Sequence, residues 1–138
     1  MSACTFFGHR DCPASIKGIL RAAVIRLIEN QNADIFYIGN QGAFDAHALS
    51  VLKELSFVYP HIQYAFVLNR MPDTPLLDNS ILPEGIELIH PRFTISWRNR
   101  WMIDHSDFVI SYIERSWGGA YQFTELAKRK HKKVIYIS

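Results

Sequence analysis

Residues 108–128 read FVISYIERSWGGAYQFTELAK, and this stretch decides the fold. The apolar run over residues 108–113 predicts a buried strand, and residues 123–128 predict a helix. Gly118 and Gly119 therefore stand where a strand passes into a helix, whose first free N–H groups carry the positive end of its dipole. Glycine lets an anion approach such backbone closely, although a Gly-Gly pair by itself is more typical of a plain turn.

The same alternation of strand and helix runs through the rest of the chain. Apolar runs predict further strands over residues 3–7, 34–38, 63–68, 86–89 and 134–137. Apolar residues at helical spacing predict further helices over about residues 13–31, 45–59 and 95–105. Residues 69–85 hold three prolines and predict an irregular connection. Residues 1–138 are therefore predicted to form one Rossmann-like α/β domain, with a mainly parallel sheet and helices on both faces.

Three of the predicted strand-to-helix loops are polar or rich in glycine. They are residues 8–11, 39–42 and 117–120. In a parallel sheet all three loops lie at the carboxyl edge, where open α/β sheets bind ligands at the point of strand-order reversal. This convergence predicts a ligand site at that edge.

The composition argues against several functional classes. Apolar residues make up 49% of the chain and the net charge is +2, so the composition gives no argument for nucleic-acid binding. The basic run over residues 128–133 is expected to be the solvated end of a helix. No apolar run approaches the length of a membrane span, and no leader is recognised at the N-terminus. Cys4 and Cys12 are the only cysteines, which favours a reduced, cytoplasmic protein. Histidines and cysteines show no metal-ligand spacing, so neither metal nor cofactor is expected.

Four motifs, in this order, resemble the YpsA-like branch of the SLOG superfamily, which also includes the LOG phosphoribohydrolases and the DNA-processing protein DprA. The motifs are Cys4-Thr5-Phe6-Phe7-Gly8-His9-Arg10, Gly39-x5-Asp45, Arg98-x3-Met102-x4-Asp107 and Gly118-Gly119-x5-Glu125. The similarity extends over most of the chain. It implies the same Rossmann-like fold and a bound nucleotide or nucleotide-derived ligand.

The resemblance also implies a set of site residues. The ligand-binding residues would be Gly8, His9, Arg10, Gly39, Asn40, Gln41, Asp45, Arg98, Gly118, Gly119, Ala120 and Tyr121. The phosphate would rest on the two glycine loops, with charge from Arg10 and Arg98, and Arg98→Ala is expected to abolish binding while leaving the ligand-free melting temperature nearly unchanged. In a LOG-like enzyme, Arg98 and Glu125 would be catalytic and would cleave the N-glycosidic bond of a nucleoside 5′-monophosphate.

Departures from the LOG motif favour binding over catalysis. Tyr121 and Gln122 replace a glycine and a threonine, Trp117 replaces a proline, and residues 114–116 look like part of an insertion. Three functions therefore remain open: a sensory or regulatory nucleotide binder, a phosphoribohydrolase, and a protein-interaction module.

Two tryptophans bear on the oligomeric state. Trp97 and Trp101 lie four residues apart on a predicted helix and would share one face. LOG-like relatives associate through helices, so the resemblance implies a homodimer. The alternative is that this face covers the sheet within one chain.

Overall fold

The structure is a computed structural model that describes residues 2–40, 42–76 and 78–137. Its strands are β1 (Ser2–Gly8), β2 (Ala33–Ile38), β3 (Gln63–Val67), β4 (Ser80–Ile81), β5 (Phe108–Tyr112) and β6 (Lys133–Tyr136). Its α-helices are α1 (Lys17–Gln31), α2 (Gly42–Val58), α3 (Thr94–Asp104) and α4 (Gly119–Arg129). All strands in these described ranges pair in parallel in one sheet, ordered β4-β3-β2-β1-β5-β6. The predicted α/β fold class is confirmed.

The reversal of strand order lies at β1, in the middle of the sheet. The chain moves outward from β1 through β2 and β3 to β4, and it then returns to the other side of β1 to form β5 and β6. Cys4 of β1 is in register with Phe36 of β2 and with Phe108 of β5. The crevice beyond the ends of β1 and β5 is therefore the switch point at which such sheets bind ligands.

Two separate cores cover the two faces of the sheet. Alternate residues of a strand point to opposite faces, so Phe6 packs in one core and Phe7 in the other. The Phe6 core also contains the apolar residues of α1 and α2, whereas the Phe7 core contains those of α3 and α4. Helices thus flank the sheet on both sides, as predicted.

The fourth strand is the main error of the sequence-based prediction. Residues 86–89 were expected to form it, but Ile86–Leu88 form a 3₁₀ turn that follows Gly85, whose φ is +84°. The fourth strand is instead Ser80–Ile81, inside the predicted irregular connection, where Ser80 is in register with Phe66 of β3. A two-residue strand is too short to show alternation, so the sequence carried no signal for it.

The state of the cysteines and the length of the helices relate to the predictions of a reduced protein and of no membrane span. Cys4 and Cys12 are both free and buried, and burial raises the pKa of the Cys12 thiol to about 11. Among the described residues, no helix combines the length and the apolar character that crossing a membrane requires.

Candidate functional site

A cavity of about 380 Å³ opens at the carboxyl edge of the sheet, where β1 and β5 lie side by side. The end of β1, the N-terminus of α4 and one side of α3 form its walls. Of the residues predicted from the sequence, the cavity brings together Gly8, His9, Arg10, Asp45, Arg98, Gly118, Gly119 and Ala120. These residues come from four separate parts of the chain, and the parallel topology gathers them at one edge.

The remaining predicted residues lie elsewhere. Asn40 lines a neighbouring cavity of about 770 Å³ between the end of β3 and the segment that precedes α3. Gln41 lies outside the described residues. Tyr121 and Glu125 belong to α4 but are not part of the cavity wall, and the Glu125 carboxylate forms an ion pair with Lys128 at 3.3 Å.

The N-terminus of α4 is open toward the cavity. Gly118 precedes the helix with φ +93° and ψ 174°, and no side chain caps the helix. The Gln122 N–H donates to the Gly118 carbonyl at 3.0 Å, so the N–H groups of residues 119–121 precede the first intrahelical bond. A methyl group built on Gly118 or Gly119 would meet no atom within 4 Å. The backbone here is accessible to an anion, which the helix dipole favours.

Arg98 combines a charge at the cavity wall with a structural role. Its side chain is 1% exposed, its Nη1 donates to the Val67 carbonyl at 3.1 Å, and its Nε donates to the Asn99 Oδ1 at 2.8 Å. Burial lowers the pKa of Arg98, and the charge of Asp45 acts in the opposite direction. Arg98→Ala would leave the buried Val67 carbonyl without this donor, so it is expected to destabilise the ligand-free protein, contrary to the sequence-based expectation.

Gly39 follows β2 directly and contributes to the site indirectly. A methyl group at this position would lie 3.0 Å from Asp45 Oδ2 and 3.1 Å from Arg98 Cζ. The absence of a side chain therefore gives the guanidinium and the carboxylate room to lie against the backbone. Gly39 positions charged groups and does not itself form part of the cavity wall.

His9 joins the two central loops of the site. Its ring is 4% exposed, and its Nε2 accepts the Glu114 N–H at 2.9 Å. Burial, and next the positive charge of Arg115, lower the pKa of His9. The ring is therefore neutral at pH 7 and carries its proton on Nδ1. It ties the loop after β1 to the loop after β5, and its Nε2 is already occupied.

Arg115 is a wall residue that the sequence analysis did not select. It lies between β5 and α4, and its guanidinium lies over the Trp117 ring with its Cζ 4.6 Å from the ring centroid. Its Nη1 is 3.4 Å from Asp11 Oδ1. Its Nε is buried and has no hydrogen-bond partner within the described part of the chain. The available signal was an arginine placed between a predicted strand and the Gly-Gly pair.

Asp107, Met102 and Thr124 have structural roles near the site. Asp107 accepts the Ala3 N–H on its Oδ2 at 3.0 Å, which pins the start of β1 beside β5. Met102 is buried in the core between the sheet and α3. Thr124 contacts the Ser111 hydroxyl at 2.9 Å and donates to the Ala120 carbonyl at 2.7 Å, so it ties α4 to β5.

The two tryptophans of α3 have different environments. Trp101 packs edge-on against Tyr37 of β2 with 5.1 Å between ring centroids, so it covers the sheet within the chain. Trp97 is 40% exposed. Arg100 is exposed, and Asp104, four residues further along α3, pairs with Lys130.

The charges of the cavity favour an anionic ligand. Arg10, Arg98 and Arg115 contribute three guanidinium groups, while Asp45 is the one carboxylate among the described wall residues. No group of three or more histidine, cysteine or carboxylate side chains within those same ranges is arranged to hold a metal ion. The positive end of α4 adds to the arginines.

Fold and cavity together define a single-domain Rossmann-like α/β protein with a candidate anion-binding crevice at its topological switch point. No known protein-family model matches the chain, and no curated protein is significantly similar to it.

Proposed function

We propose that the protein binds a nucleotide or a nucleotide-derived small ligand at the carboxyl edge of its sheet, in a sensory or regulatory role. One observation carries this proposal: three arginines and an uncapped helix N-terminus meet in one cavity at the switch point. The helix N-termini of P-loop and Rossmann folds bind phosphate groups in this way. Membership in the SLOG superfamily, which the motif order suggests, is part of the same proposal.

The rest of the cavity suits the non-ionic part of such a ligand. Its volume of about 380 Å³ falls within the range of small-molecule sites, about 300–1,000 Å³. Ile95 and Met102 give the wall apolar surface, and Asn99 adds an amide. Apolar walls with a few polar groups are typical of small-molecule pockets.

The test is binding of adenosine 5′-monophosphate, measured by calorimetry and by thermal shift, alongside a panel of other nucleotides. Ligand at one hundred times its Kd would stabilise the native state by about 2.7 kcal/mol. Arg10→Gln, which removes an exposed charge of the wall, should weaken binding. Arg129→Gln, at the far end of α4, is the matched control and should leave it unchanged. A panel without any binder would refute the proposal.

The hydrolase alternative has less support. The Glu125 carboxylate pairs with Lys128 and is not part of the cavity wall, so it is poorly placed to act on a ligand there. We therefore expect binding of nucleoside 5′-monophosphates without turnover. Release of free base, followed by chromatography and abolished by Glu125→Gln, would move the protein to the enzyme class.

A homodimer is also proposed. Leu88, Phe93 and Trp97 lie close together in sequence and are 83%, 55% and 40% exposed. Large apolar side chains exposed to this extent are costly to leave in water and often mark interaction sites. Light scattering at micromolar concentration should give twice the mass of the chain, and a monomer would refute the proposal.

The proposed location is the cytoplasm. Two free, buried cysteines are typical of proteins kept in a reducing compartment. Fractionation of cells that produce the tagged protein tests this directly.

A further inference from the structure

Arg115 is held at the cavity wall by anchors on both sides of it. The preceding residue, Glu114, is fixed through its N–H, which donates to His9 Nε2 at 2.9 Å. The chain enters α4 at Gly119, four residues after Arg115. The short segment that carries Arg115 is thus held at both of its ends.

The ion pair that Arg115 makes with Asp11 is weak. Its Nη1 and Nη2 lie 3.4 and 3.5 Å from Asp11 Oδ1, and the Asp11 side chain is 74% exposed. Exposed ion pairs of this kind contribute little to stability, so an anion can replace the carboxylate at small cost. Arg115 Cζ also lies over the Trp117 ring, and this cation–π contact does not use the N–H donors of the guanidinium as hydrogen bonds.

The Nε of Arg115 is the strongest sign of an absent partner. It is buried and makes no hydrogen bond within residues 2–40, 42–76 and 78–137. A buried donor without an acceptor is unfavourable, and an acceptor supplied by a ligand would remove that penalty. Nε and one Nη form the parallel pair of donors that binds two oxygens of a phosphate.

We propose that Arg115 is the residue that selects a doubly charged phosphate monoester over singly charged anions in this cavity. This inference rests on the proposed function, because it takes the phosphate to lie at the N-terminus of α4. Without Arg115, two arginines face one carboxylate, Asp45, which suits a single negative charge. With Arg115 the wall gains a further positive charge and can hold a dianion. Arg115 lies in residues 114–116, which depart from the LOG motif, so the motif resemblance does not supply this role.

The experiment compares two probes that differ by one charge: adenosine 5′-monophosphate and its 5′-methyl phosphodiester, titrated by calorimetry. The wild-type protein should bind the monoester at least about tenfold more tightly. Arg115→Gln should weaken monoester binding roughly ten- to hundredfold, the effect of losing a hydrogen bond to a charged group. The same variant should change binding of the diester by less than about threefold, so the preference should largely disappear.

Three further variants sharpen the test. Arg100→Gln removes an exposed arginine of α3 outside the cavity wall and should leave both affinities unchanged. Arg115→Lys retains the charge without the paired donors and should restore only part of the preference. Asp11→Asn removes the competing carboxylate and should tighten monoester binding about two- to threefold.

The outcomes separate this inference from the proposed function. An unchanged monoester-to-diester ratio in Arg115→Gln would overturn the role of Arg115 while leaving nucleotide binding intact. Binding of phenyl phosphate that depends on Arg115, without binding of any nucleotide, would support Arg115 and refute the nucleotide. A wild-type protein that binds none of these phosphates would overturn both.

Discussion

On the β1 side of the cavity, a methyl group added to a glycine would collide with neighbouring atoms, whereas on the α4 side it would enter open space. A methyl group on Gly8 would lie 2.2 Å from the Phe44 ring, and one on Gly42 would lie 2.8 Å from the Arg10 Cα. A methyl group on Gly118 or Gly119 would contact nothing within 4 Å. The β1 side therefore needs glycine for folding, and on the α4 side Gly119 has no packing reason to be glycine. Stability and binding should respond separately to substitutions on the two sides.

The largest effect is expected for Gly8→Ala. The added methyl group would overlap the ring of Phe44, which is 0% exposed and packed in the core of the α1 and α2 side. Overpacking of this severity should lower the free energy of unfolding by about 3 kcal/mol or more. Urea denaturation of the wild type and the variant measures it.

The Phe44→Leu background supplies the control for Gly8→Ala. A smaller side chain at position 44 removes part of the overlap, so the methyl group should cost less there. An equal cost in both backgrounds would show that Phe44 is not the obstacle and would break the proposed contrast between the two sides.

Gly118→Ala should have the next largest effect, for a different reason. The backbone at φ +93° and ψ 174° lies in a region that only glycine adopts without strain, although space around it is free. We expect a loss of about 2 kcal/mol in the free energy of unfolding. Because the cause is the backbone, no truncation of a neighbouring side chain should restore stability, in contrast to Gly8→Ala.

The hydrogen bond from the Glu114 N–H to His9, which joins the loop after β1 to the loop that leads to α4, should make stability depend on pH. The pKa of His9 in the folded protein lies below its ordinary value of 6.5, first because the ring is buried and next because Arg115 is positively charged. As the pH falls, the unfolded chain therefore takes up a proton at this residue before the folded protein does. Stability should therefore fall as pH drops below about 6.5, and should stop falling below the folded-state pKa. The hydrogen bond from the Glu114 N–H to the neutral His9 ring, which protonation would break, contributes about 1 kcal/mol to stability. Urea denaturation between pH 7.5 and 5 measures the slope.

His9→Gln provides the comparison for the pH dependence. Glutamine can accept the Glu114 N–H through its side-chain oxygen but does not titrate in this range. The slope below pH 6.5 should be shallower in this variant. An unchanged slope would assign the pH dependence to other groups.

The fold could be predicted because its signals are local and repeated. The apolar runs of β1 and β5 and the helical spacing of α1 fix where elements lie, and alternation of strand and helix then fixes a parallel sheet. Parallel strands end at one edge, which is why the loops that carry Gly8, Gly39 and Gly118 lie there together. The strand Ser80–Ile81 was missed because it is defined by its pairing with β3, a contact distant in sequence.

The site was harder to predict, because side-chain direction is set by packing between distant elements. Motif spacing singled out Glu125, but α4 begins at Gly119, and six residues of helix place Glu125 about 9 Å further along the axis. Spacing likewise could not show that the guanidinium of Arg98 turns inward to the Val67 carbonyl. Arg115 was overlooked because it lies in a segment that departs from the motif.

Gly119→Ala should have the smallest effect on stability and is the sharpest test of the comparison. The residue is the first of α4, has ordinary backbone for a side chain, and leaves the added methyl group in open space. Alanine also favours a helix, so the free energy of unfolding should change by less than about 0.5 kcal/mol in either direction. The methyl group would nevertheless lie where a phosphate has to approach the backbone. Affinity for adenosine 5′-monophosphate should therefore fall roughly tenfold, which corresponds to a loss of 1.4 kcal/mol in binding free energy. Paired urea denaturation and calorimetry on one preparation measure both quantities. Unchanged affinity would show that the phosphate does not bind at the N-terminus of α4. A loss of stability comparable to that of Gly8→Ala would show that the two sides are packed alike.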